Sequence, residues 1–109
     1  MIISGDDPYT LPFIALGMHG VISVVANAFP KEFSTMVRHC LKGNFDAARP
    51  LHYRLVNTIR NMFADGSPGG VKAYMNLMGL CENMVREPLE IIGESTLIKI
   101  KADYDRLKK

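Results

Sequence analysis

The run Gly20-Val21-Ile22-Ser23-Val24-Val25-Ala26-Asn27 limits what this chain can fold into more than any other stretch. It is β-branched and almost wholly apolar, without the alternation of a strand that has one wet face. Strands of this composition are buried on both faces by helices, as in parallel sheets. Met1-Ile2-Ile3 is a second, shorter apolar run, stopped by Ser4-Gly5. One short helix fits between the two. Pro8 suits its first position with Asp7 before it as N-cap, and Gly17 ends it after Leu11, Phe13, Ile14, Ala15 and Leu16. Pro12 has no N–H to give, so that helix is expected to be short or irregular. Strand, helix and strand within the first 27 residues predict a βαβ unit with parallel strands and a right-handed crossover.

After Phe29-Pro30 the apolar spacing becomes helical. Lys31 to Leu41 carries Phe33, Met36, Val37, Cys40 and Leu41 on one side and stops at Gly43. Asn44 can cap the next helix, where Phe45, Ala48, Leu51, His52, Leu55, Val56, Ile59, Met62 and Phe63 form a long stripe. Pro50 interrupts that stripe and predicts a bend near Ala47. Asp65 to Gly70 is a loop by composition, Val71 to Leu80 a shorter helix, and Cys81 to Gly93 an irregular link. A last helix starts at Glu94 or Ser95 and runs to the end.

Two parallel strands do not make a stable sheet, since their edges and faces stay unpaired. A strand that starts at residue 1 sharpens the problem. The expectation is an α/β, helix-rich piece of a larger sheet, the tail of an α/β barrel or doubly wound domain with a helical appendix. The 109 residues amount to one domain at most, or part of one.

A net charge of +2 gives no reason to expect nucleic acid or a membrane as partner. The basic end KIKADYDRLKK reads as cations placed against the dipole of a helix C-terminus. Cys40 and Cys81 form no metal-type spacing and read as reduced, half-buried thiols. No apolar run approaches the ~18 residues of a membrane span, and no basic flank marks a signal peptide, so the expected setting is cytoplasmic.

The candidates for chemistry are few. Asp6 and Asp7 fall where a parallel strand ends, which is where α/β folds bind ligands. Asp7 reads as a cap, Asp6 as part of the turn or as facing a ligand, and Gly5 as a point of close backbone approach. A metal pair lacks His or Cys ligands, and adjacent carboxylates point apart, which disfavours acid–base work. His19, His39 and His52 read as structural, and His39 and Cys40, as helix neighbours, do not face each other. Gly66 to Gly70 matches no phosphate-loop pattern, so a phosphate loop is not indicated. The seven methionines read mainly as core, and Lys72 shows no sign of a Schiff-base role.

Ser4-Gly5-Asp6-Asp7, followed by a short helix and then GxxGVISVxxNxxP over Gly17 to Pro30, resembles the dihydrodipicolinate synthase family of pyruvate-dependent aldolases. The likeness extends through Pro68, Val71-Lys72, Met78-Gly79-Leu80 and Arg86-Glu87-Pro88, essentially the whole chain. It implies a (β/α)₈ barrel followed by a helical domain, with residues 1–43 as the last two strand–helix units and 44–109 as the helical domain. It also implies the condensation of pyruvate with aspartate semialdehyde on the route to lysine. The family's Schiff-base lysine and its tyrosine lie on earlier strands, so the resemblance places no catalytic residue here. By the same likeness Gly5 and Ile22 offer backbone to pyruvate, no metal is held, and no cofactor is needed. The family usually reads close to NPxPVK where this chain has Gly66-Ser67-Pro68-Gly69-Gly70-Val71-Lys72.

Two expectations follow. In the first, the chain is the C-terminal segment of such a lyase and is inactive alone. In the second, it is a non-catalytic helical oligomerisation module. In either case a homo-oligomer is expected, because single-chain burial leaves sheet edges open.

Overall fold

The computed structural model describes residues 1–109, which form five α-helices and two short 3₁₀ turns with no strand. They gather into two compact units, Met1–Val56 and Asn57–Lys109.

In the first unit a 3₁₀ turn, Asp7–Tyr9, leads into α1 (Thr10–Ala15). The expected irregularity lies here: Pro12 cannot donate to the Pro8 carbonyl, and the helix start tightens. Gly17 closes the helix at a φ of 108°, and its N–H meets the Ile14 carbonyl at 2.9 Å. A second 3₁₀ turn, Val25–Asn27, precedes α2 (Pro30–Leu41). Phe33, Met36 and Cys40 form the buried stripe of α2, which packs against α1 and against that turn. Asn44 starts α3 (Phe45–Phe63), its Oδ1 accepting the Ala47 N–H at 3.3 Å. The helix continues through Pro50, and its residues from Asn57 onward belong to the second unit.

The two expected strands are absent. What remains of them is one isolated parallel bridge between Ser4 and Val21. The Ser4 N–H bonds to the Gly20 carbonyl and the Ile22 N–H to the Ser4 carbonyl, both at 2.9 Å. Beyond Ile22 the expected strand fails outright, for Val24 turns to φ −79° and ψ −43° and the 3₁₀ turn begins. The parallel sense of the pairing holds; the ladder does not. A ladder needs donors, and those of Val24 and Val25 are engaged by a side chain described below.

In the second unit α4 (Gly69–Leu77) packs against α5 (Glu94–Leu107). The start of α4 precedes the expected Val71 because Pro68 already occupies the cap position. Its end falls short of Leu80 because Gly79, at a φ of 75°, reverses the chain and lets the Leu80 N–H return to the Met75 carbonyl. Residues 81–93 form no helix or strand, as the sequence implied. They are tied to α4 by the Lys72 ammonium on the Met84 carbonyl at 2.8 Å and the Asn76 amide on the Cys81 carbonyl at 3.0 Å. No helix is long and apolar enough to cross a membrane.

Candidate functional site

The turn Ser4-Gly5-Asp6-Asp7 is held from within. The Ser4 hydroxyl, itself buried, accepts the Asp6 N–H at 3.1 Å, and the buried Thr10 hydroxyl donates to the Asp6 carbonyl at 3.2 Å. The Tyr9 N–H shares that carbonyl at 3.1 Å. These bonds fix Asp6 by its backbone and leave its side chain exposed.

Gly5 and Ile22 each follow one residue after the bridged pair, so the parallel register sets them abreast although 17 positions separate them. Both are exposed, Ile22 at 80%. A Cβ on Gly5 would meet nothing within 4 Å, and its φ lies outside the left-handed region. Neither local packing nor backbone strain in this chain therefore calls for glycine there.

Asp7 departs from its expected role. It does not cap its own helix, whose N-cap position is Asp6 and carries no side-chain cap bond. The donors an N-cap would serve are already gone, since Pro8 has none and the Tyr9 N–H is on Asp6. Instead the Asp7 carboxyl reaches across to the start of the second 3₁₀ turn. One oxygen, Oδ2, accepts the N–H groups of both Val24 and Val25 at 3.0 Å. The residue is only 3% exposed, and its other oxygen, Oδ1, is buried with no protein partner.

Of the histidines, His19 is bound into the backbone pairing. His19 accepts the Ile2 N–H through Nδ1 at 3.2 Å, and its own N–H returns to the Ile2 carbonyl at 2.8 Å. His52 is half-buried, which lowers its proton affinity. Cys40 is fully buried, not half-buried as read from sequence, and burial pushes its thiol up; Cys81 is half-buried and also unpaired.

A second polar cluster lies in the other unit and was not foreseen. The buried Asp103 accepts the Thr58 hydroxyl at 2.6 Å and the Tyr74 hydroxyl at 2.7 Å on one oxygen. Its other oxygen takes the Arg106 guanidinium at 2.6 Å and 3.1 Å. Burial, then the bond to Asp103, push the Tyr74 hydroxyl up. Every oxygen of Asp103 is satisfied, so the cluster has nothing free with which to act on a ligand. A cleft of about 400 Å³ in the same unit, lined by Asp65, Ser67, Pro68, Glu90 and Gly93, has no such convergence of side chains. The Asp65 carboxyl there caps the Gly93 N–H at 2.8 Å, and that bond holds it below the usual carboxylate range.

A sequence profile of the dihydrodipicolinate synthetase family matches residues 1–106. The chain belongs to that family. The 4-hydroxy-tetrahydrodipicolinate synthase of Phocaeicola vulgatus is 48% identical over 107 residues, which cover 98% of this chain and 36% of that protein. A crystal structure of a dihydrodipicolinate synthase superposes with a TM-score of 0.95 at 42% identity, covering 99% of this chain and 38% of the other. The chloride-inhibited synthase of Acinetobacter baumannii, complexed with pyruvate, superposes at 0.85 with 29% identity over 94% of this chain and 36% of its own. The chain thus spans little more than a third of the length of these family members, and its backbone matches part of the family fold.

Proposed function

We propose that this chain is the C-terminal segment of a pyruvate-dependent lyase of the dihydrodipicolinate synthase type. Residues 1–43 then supply the last two strand–helix units of its (β/α)₈ barrel, and residues 44–109 its helical domain. The parent condenses pyruvate with aspartate semialdehyde in the cytoplasm, through a Schiff-base lysine and a tyrosine on earlier strands. In this reading the chain holds no catalytic residue, and Gly5 and Ile22 lend backbone to one wall of the pyruvate pocket. The observation that supports it is the Ser4–Val21 bridge, which sets Gly5 and Ile22 abreast with open space over the glycine. The pyruvate complex of the Acinetobacter baumannii synthase supports the choice of ligand.

The 109 residues alone form no imine with pyruvate in this reading, whereas the parent does. Borohydride reduction in the presence of pyruvate, read by intact mass, tests both. An adduct on the isolated chain, or none on the parent, overturns the proposal.

A homo-oligomeric state accompanies it. Leu80, Met84, Leu89, Ile91 and Ile98 are all exposed in the second unit, which is also what favours the alternative of a non-catalytic oligomerisation module. Sedimentation of the parent decides the association, and a monomer counts against it. Turnover separates the two readings.

A further inference from the structure

Gly5 and Ile22 belong to one hydrogen-bonded ring. It runs from the Ser4 carbonyl to the Ile22 N–H, along Ser23 to the Val24 N–H, across to the Asp7 carboxyl, and back through Asp6 and Gly5 to Ser4. Within the ring two links join the segments, the bond from Ile22 to Ser4 and the side chain of Asp7; the Ser4 N–H on Gly20 and the two bonds between Ile2 and His19 join them on the other side of the bridge. Ile22 lies between them on one arm and Gly5 on the other. None of the backbone bonds between the segments lies beyond Ile22, so the two arms can splay there; an anchor at the far end of both removes that freedom. Asp7 is well suited to be that anchor, because one buried carboxyl oxygen accepts two successive N–H groups at once.

We infer that Asp7 is a positioning residue, which fixes the spacing of the Gly5 and Ile22 backbones and so the wall against which pyruvate is held. This rests on the function proposed above. Asp7 touches no reacting atom; it acts through the turn that follows Ile22.

The test uses the full-length parent. Asp7→Ala raises the KM for pyruvate about tenfold, the loss of both N–H bonds, while Asp7→Asn, which keeps one acceptor, recovers only part of it. Val24→Pro removes one of the two donors from the other side, at a φ of −79° that proline accepts. It raises KM in the same direction, and combined with Asp7→Asn the effects are less than additive, because both act on one contact. Melting midpoints measured alongside separate this from a merely structural role, which lowers the midpoint and leaves the KM of the folded enzyme unchanged. If Asp7→Ala does not fold, Asp7→Asn and Val24→Pro decide. A parent that traps no pyruvate overturns the functional reading and this inference with it. A parent that traps pyruvate, with variants whose KM stays within about twofold of wild type, overturns this inference alone.

Discussion

Gly70 lies so close to the main-chain carbonyl of Met62 that no side chain fits between them. The start of α4 can meet α3 at this distance only where a Cβ is missing. Gly70→Ala is expected to destabilise the folded chain by about 3 kcal/mol, the upper range for overpacking. Thermal unfolding followed by circular dichroism measures it, and an unchanged midpoint rules the contact out.

Gly5 provides the opposite case. Its Cβ direction is open and its backbone unstrained, so Gly5→Ala is expected to move stability by less than about 0.5 kcal/mol. On the function proposed above, the same methyl group in the full-length parent intrudes on the pyruvate pocket and raises KM about tenfold. A variant that is both stable and kinetically normal removes Gly5 from the site.

Asp103 satisfies two buried hydroxyls at once. Asp103→Ala leaves Thr58 and Tyr74 without their acceptor and is expected to cost about 3 kcal/mol. Tyr74→Phe removes one donor while Thr58 and Arg106 still serve the carboxyl, for about 1.5 kcal/mol. Urea unfolding of both variants gives the order, and equal losses argue against a shared acceptor.

The same tyrosine sets an alkaline limit. Its folded-state pKa is raised, by burial first and then by Asp103, so the folded chain keeps that proton to higher pH than the unfolded one. The resulting stabilisation is whole below about pH 10, where an unfolded tyrosine titrates, and is lost as pH climbs toward the folded-state value. The stability gap between wild type and Tyr74→Phe is therefore expected to narrow above about pH 10. A gap that stays constant with pH contradicts it.

The thiols are expected to differ in reactivity. Cys40 is buried with its thiol pushed up, and Cys81 is half-buried, so iodoacetamide labels Cys81 first under native conditions. Peptide mass mapping after a short exposure shows which thiol is modified, and prior labelling of Cys40 refutes the burial.

Periodicity revealed the helices well, because each has a local cause: the apolar stripe of α3, Pro68 before α4, and Gly17 and Gly43 at positive φ after α1 and α2. It misread Val24 and Val25, whose β-branched side chains suit a strand but whose amides are engaged by a carboxyl far off in sequence. No local rule finds such a partner. Asp103 did leave a sign: it follows Thr96 and Ile100 on one helix face, a charged residue on a stripe otherwise bound for the interior. Gly5 and Ile22 were brought to notice by the family likeness, and their register became visible only through the bridge at Ser4.

That solitary bridge has a practical side. The peptide groups of Ile3 and Val21 enter none of the backbone bonds around it, and the outer flanks of both segments remain ready for strand addition. An added extended segment would take up those donors and acceptors, and slower amide exchange at Ile3 and Val21 would then report its docking.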